Sequence, residues 1–208
     1  MAISKKKRLE IFYEIYFSAQ KKYGSKTKRL AGEAWPKHWQ TLIATIFSAQ
    51  TKDETTIPVA EKLFSKYITL TALANADYDD VLRIIKPLNY NKTKAKHAIL
   101  AAKHLLDNHK GLVPSKLEDL VKIPGAGRKT ANLVLSECFG IDSICVDVHV
   151  HKIVNIFGVV NTKNPTETEL ELMKLVPKKY WSSINRLFVL WGKDVPRKSK
   201  EALLVALE

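Results

Sequence analysis

The chain has 208 residues, 46% of them hydrophobic, with only eight glycines and eight prolines, which supports one large core or two small ones and excludes a disordered polymer. Lysine and arginine number 34 against 21 aspartates and glutamates; the formal charge of +13 favours a polyanionic partner. Charge interrupts every apolar run, so no stretch reads as a membrane span, and the basic Lys5, Lys6, Lys7 and Arg8 lead into no uncharged signal-peptide run, which places the protein inside the cell rather than among secreted proteins.

Nearly every segment longer than ten residues carries apolar residues at helical spacing, and none alternates as a half-buried strand does. The fold class is therefore all-α. Helices are expected over 6–22, 37–51, 54–66, 78–86, 92–108, 115–122, 128–139, 148–157, 167–175 and 179–191, with a last one over 198–207. The breaks between them are short and marked by Pro87 and Asn89, Gly111 and Pro114, Pro124 to Gly127, Gly140 and Asp142, and Asn164 and Pro165. With no long linker, two helical parts should pack together and leave a cleft suited to a site. Cys138 and Cys145 are too few for a disulfide framework and read as small buried residues in a reducing interior.

The most informative stretch runs from Leu120 through Ile123-Pro124-Gly125-Ala126-Gly127-Arg128-Lys129-Thr130-Ala131-Asn132. Pro124 stops one helix, the two glycines supply the angles of a tight hairpin, and a second helix starts near Arg128 with Ala131, Val134, Leu135 and Cys138 as its apolar face. A helix start behind Gly-x-Gly is an anion cradle, because the dipole adds positive charge where no Cβ blocks approach. Arg128 and Lys129 add formal charge there, which suits a DNA phosphate without reading sequence. A lysine in a helix's first turn opposes the dipole, so stability does not account for Lys129.

Asp147, before Val148-His149-Val150-His151, reads as an N-cap. The helix from Arg128 carries the chain roughly 16–18 Å from Lys129, and residues 140–147 can span up to about 26 Å in return, so chain length allows Asp147 to come back beside the hairpin. His149 and His151 are two residues apart on a helix and point to different faces, so no metal site is expected.

The hairpin motif resembles that of the helix-hairpin-helix DNA glycosylases, and of the endonuclease III family within them. The likeness extends from Lys7-Arg8-Leu9-Glu10-Ile11 through Leu42-Ile43-Ala44, Ser48-Ala49-Gln50 and Asp53 to Val146-Asp147-Val148-His149-Val150, covering roughly residues 7 to 193. The resemblance implies a six-helix barrel domain with the hairpin over 31–141, and a second helical domain from 1–30 with 142–208. It implies a monomer that binds duplex DNA containing a damaged base or an abasic site across the cleft. Lys129 would attack C1′ of the damaged nucleoside and cleave the strand by β-elimination through an imine, and Asp147 would stabilise the developing sugar cation and assist proton transfers. Attack requires a neutral amine, which burial, neighbouring cations or a helix N-terminus favour.

Extruding a nucleotide leaves a space that a side chain must fill. Gln50, at the end of the apolar stripe Ile43, Ile46 and Phe47, is the glutamine that the resemblance puts near the orphaned base. The family also pushes a wedge from the loop here spelled Lys86 to Lys92, where Leu88 and Tyr90 are the candidates. Gly125, Gly127 and Arg128 would hold phosphate. Most members carry four cysteines for a [4Fe–4S] cluster; this sequence has no cysteine after Cys145, so no cofactor is expected, and Leu203, Leu204 and Leu207 are left to pack as a helix instead. Oxidised or ring-damaged pyrimidines are the implied substrates. The rivals are oxidised guanine, mismatched thymine or alkylated purines, or a hairpin module that only tethers DNA. The compartment implied is the cytoplasm with its nucleoid, or the nucleus.

Overall fold

The structure is a computed structural model that describes residues 3–196 and 199–208. Among the described residues it contains helices and no strand: α1 Lys5–Tyr23, α2 His38–Ser48, α3 Asp53–Lys66, α4 Leu70–Ala74, α5 Tyr78–Ile84, α6 Asn91–His109 and α7 Leu117–Leu120, followed by α8 Arg128–Phe139, α9 Val148–Ile156, α10 Pro165–Leu175, α11 Trp181–Asp194 and α12 Lys200–Val205. They form two compact units, Arg29–Ile141 and the described residues of Met1–Lys28 with Asp142–Glu208.

In the unit spanning Arg29–Ile141, α2 is the central strut. Every residue from Trp39 to Phe47 is buried, so the helix is enclosed on all sides rather than amphipathic. It packs against α3, α6 and α8, and α4 and α5 lie on α6. Asp53, at the start of α3, accepts the backbone N–H of Ala31 at 3.1 Å and so ties the chain entering the unit to the end of the α2–α3 connection. Trp35 and Trp39 both meet the edge of Phe64, closing the core beside α3. Helix α4 is not among the helices expected from the sequence. At five residues it is too short to display a period, and it stands on the Thr69 hydroxyl, which accepts from the N–H of Ala72.

In the other unit, α1 buries Phe12, Ile15, Tyr16, Ala19 and Tyr23, a stripe at helical spacing, and packs on α11. Helix α9 also packs on α11, and α10 on α9. Helix α10 starts at Pro165, earlier than expected, because Asn164 accepts from the N–H of Glu167 while Glu167 accepts from that of Lys163. Helix α12 is clasped rather than merely laid down. The Trp191 indole N–H donates to the carbonyl of Leu203 at 2.9 Å, Leu203 is fully buried, and the Tyr23 hydroxyl donates to the carbonyl of Ala206. Phe157 and Phe188 pack around the Trp191 ring. Leu204 is exposed, and the expected helix start at Lys198 lies outside the described residues.

Candidate active site

The hairpin is the turn between α7 and α8. Helix α7 is shorter than its pattern suggests, and successive turns, with Ile123 N–H on the Leu120 carbonyl and Ala126 N–H on the Ile123 carbonyl, carry the chain round. The two glycines do different jobs. Gly125 has φ +84, and a Cβ on it would lie 2.9 Å from the Cβ and Nδ1 of His97, so both backbone angle and space demand glycine. Gly127 does not supply an unusual angle as expected: it is extended at φ −82, ψ 178 and caps α8. A Cβ there would meet nothing within 4 Å among the described residues, so space does not demand glycine, and the bare backbone is exposed.

Arg128 and Lys129 are the first two residues of α8 and both are exposed. The amide dipoles of α8 converge on this end, where the side chains of Arg128 and Lys129 start. Behind it, Thr130, Ala131, Asn132, Val134 and Leu135 are buried, whereas Cys138 is only partly so. The Cys138 thiol is pushed up to about 11, chiefly by burial, which keeps it protonated and unreactive.

Asp147 belongs to the other unit and caps α9. Its Oδ1 accepts from the N–H groups of both His149 and Val150 at 2.9 Å, which locks the rotamer of the carboxylate. The segment leading to it is pinned by the buried Asn185 on α11, whose amide donates to the Cys145 carbonyl at 3.0 Å. His149 and His151 diverge as their spacing requires. His151 Nδ1 lies 2.7 Å from the Thr168 hydroxyl on α10, while His149 packs against Gly192, where a Cβ would come within 2.3 Å of it.

Gln50 is not at the end of a helix. Helix α2 stops at Ser48, Ala49 is extended, and Gln50 adopts φ +53, fully in the left-handed region. The apolar period does run on to position 50, but the helix ends before it, and Lys94 Nζ takes up the carbonyls left there, donating to Phe47 at 2.6 Å and Ala49 at 2.7 Å, and to the Thr51 hydroxyl at 2.8 Å. Leu88, one of the two wedge candidates, is 2% exposed within the apolar core and is corrected on that ground. Tyr90, the other, is 66% exposed and sits at the N-cap of α6 with φ +56. The two loops are joined by Asn89, whose side chain donates to the Gln50 carbonyl and whose N–H donates to the Thr51 hydroxyl.

Lys94 was missed from the sequence, although a signal was there. It falls on the face of α6 that also buries Ala95, Ala98, Ile99, Ala101, Ala102 and Leu105, where a charge has no business unless something accepts it. Burial pulls its ammonium down to about 8.

Cys138 and Cys145 lie in different units, and among the described residues no three His, Cys, Asp or Glu side chains come together as metal ligands. Two thiols do not fit a [4Fe–4S] cluster, which takes four.

Residues 43–178 match the family model of the HhH-GPD superfamily base excision DNA repair proteins. Endonuclease III of Thermotoga maritima is 40% identical over 157 residues, 76% of this chain and 74% of that protein. A trapped endonuclease III–DNA covalent intermediate, in its estranged-adenine complex, aligns with TM-score 0.84 at 28% identity, over 94% of this chain and 89% of the other. A non-covalent endonuclease III–DNA complex aligns with TM-score 0.85 at 27% identity, over 98% and 95%.

Proposed function

The chain belongs to the HhH-GPD superfamily of base excision DNA repair proteins, in its endonuclease III family, and we propose that it is a DNA glycosylase and abasic-site lyase whose nucleophile is Lys129. One observation carries the reading: an exposed lysine stands in the first turn of α8, directly behind a hairpin whose second glycine is exposed with open space where a Cβ would lie. Tethering DNA would use the same glycines but has no need of that amine.

In the reaction, Lys129 Nζ bonds to C1′ as the bond from C1′ to the base breaks, and the base leaves with its electron pair and takes up a proton. The sugar ring opens to an imine on Lys129, loss of a proton from C2′ expels the 3′ phosphate, and water then releases the protein. The α8 dipole and the charge of Arg128 act at the end of the helix where Lys129 stands. Asp147 supplies the carboxylate. Both cap bonds fall on Oδ1, so Oδ2 is held at a fixed orientation to stabilise positive charge on the sugar and to pass protons. Gly125, Gly127 and Arg128 hold a backbone phosphate, while Gln50 and Tyr90 enter the space left by the extruded nucleotide.

We take oxidised or ring-damaged pyrimidines in duplex DNA as its substrates and a nucleoid or nucleus as its compartment, a reading that the likeness to endonuclease III supports. Among the described residues no helix is long and apolar enough to cross a membrane. Borohydride reduction on duplexes that each carry one lesion tests the reading, since it converts the imine into a stable adduct. Wild-type protein should be trapped and Lys129→Ala should not; trapping of the variant at the wild-type level would remove Lys129 from the chemistry, and the lesion that traps best names the substrate.

A further inference from the structure

We infer that Lys94 and Asn89 are positioning residues that brace the two loops carrying Gln50 and Tyr90 into a single rigid DNA-facing element. The inference rests on the assignment of Gln50 and Tyr90 to the DNA. Lys94 lies in the first turn of α6, where its charge opposes that helix's own dipole, so α6 does not account for it. Its charge serves α2 instead. All three ammonium protons have acceptors, the carbonyls of Phe47 and Ala49 at the negative end of α2 and the Thr51 hydroxyl beyond it. An apolar side chain at 94 would fill the volume but take its donor from the Phe47 carbonyl and leave the Ala49 carbonyl only the Thr51 hydroxyl at 3.5 Å.

From the other side, Asn89 grips both residues that flank the turn, through the Gln50 carbonyl and the Thr51 hydroxyl. The Thr51 hydroxyl therefore joins the two struts. Each loop ends in a non-glycine residue held left-handed, Gln50 at φ +53 and Tyr90 at φ +56, a conformation that is uncommon and strained for a residue with a Cβ. Both side chains are exposed, so neither is held by packing of its own. The brace supplies what holds them, and it fixes their separation before DNA arrives.

The test is a double-mutant cycle on the full-length protein, with a duplex that carries one uncleavable abasic-site analogue opposite 2-aminopurine. Binding is followed by titration, and the unstacked base by its fluorescence. Lys94→Met and Asn89→Ala should each weaken binding about tenfold and reduce the fluorescence rise, yet change binding less than about twofold in a Gln50→Ala/Tyr90→Ala background. Equal weakening in both backgrounds would make Lys94 and Asn89 merely structural and overturn the brace, as would the absence of any effect in either. A Gln50→Ala/Tyr90→Ala protein that binds and unstacks normally would instead defeat the assignment of the loops to DNA, and the brace with it. Should Lys94→Met fail to fold, Asn89→Ala, in an exposed loop, runs the same cycle.

Discussion

The hairpin and the Gln50–Tyr90 loop pair meet the same backbone problem, a chain that must reverse sharply beside a helix end, and solve it in opposite ways. At the hairpin, the left-handed angle falls on Gly125, which adopts it without strain. In the loop pair, the same region of backbone space is occupied by a glutamine and a tyrosine, at about 1–2 kcal/mol each. On the proposed roles, glycine suffices where backbone meets DNA, and where Gln50 and Tyr90 present side chains the strain is offset by the hydrogen bonds of Lys94 and Asn89.

The difference can be tested by changing each region toward the other. The largest effect belongs to the amine that follows the hairpin: Lys129→Ala should lower strand cleavage on the order of a thousandfold or more, with DNA affinity much less affected. Asp147→Asn should come next. An asparagine oxygen caps α9 as well as the carboxylate does, so the melting temperature should hold while excision falls by roughly 10²–10⁴-fold; excision near the wild-type rate would reduce Asp147 to a cap.

The two glycines should then separate. Gly125→Ala forces a left-handed alanine against His97 and should destabilise the protein by about 1–3 kcal/mol. Gly127→Ala should leave stability within about 0.5 kcal/mol and weaken DNA binding several-fold, because its Cβ obstructs only what approaches from outside. Denaturant titration beside a binding isotherm distinguishes them.

A smaller effect has the opposite sign. Tyr90→Gly removes the strain and little packing, so it should raise stability by about 1 kcal/mol while excision drops; a loss of stability would mean that Tyr90 is held there for the fold. The smallest effect concerns pH. The Lys94 ammonium is pulled down from 10.5 to about 8, so between those values the unfolded chain binds the extra proton and wild-type stability rises with pH. Lys94→Met lacks that term, so its deficit against wild type should widen from about pH 8 to pH 10 in thermal melts, and a gap independent of pH would count against the shift.

How far the sequence could be read follows the same division. Periodicity locates α6 to within a residue at each end, because a long helix with one buried face repeats its signal, and at α8 the hairpin's proline and glycines fix the start as well. The hairpin was legible for a related reason: proline, glycine and a charged helix start each act locally. The stripe Ile43, Ile46, Phe47 predicts a helical Gln50, whereas α2 ends at Ser48 with its last carbonyls on a lysine distant in the chain, a contact that no local pattern carries. Leu88 and Tyr90 sit two residues apart in a stretch with no period, so which one faces the core was decided by packing. The separate roles of Gly125 and Gly127 depend on His97, again a contact that sequence order conceals.

The clasp between Trp191 and Leu203 has a practical consequence for making the protein. An indole, two phenyl rings and a tyrosine hydroxyl complete that half of the fold, and none of them must be delivered by another system. Refolding from denaturant should then proceed in chelator and air as readily as in an anaerobic chamber.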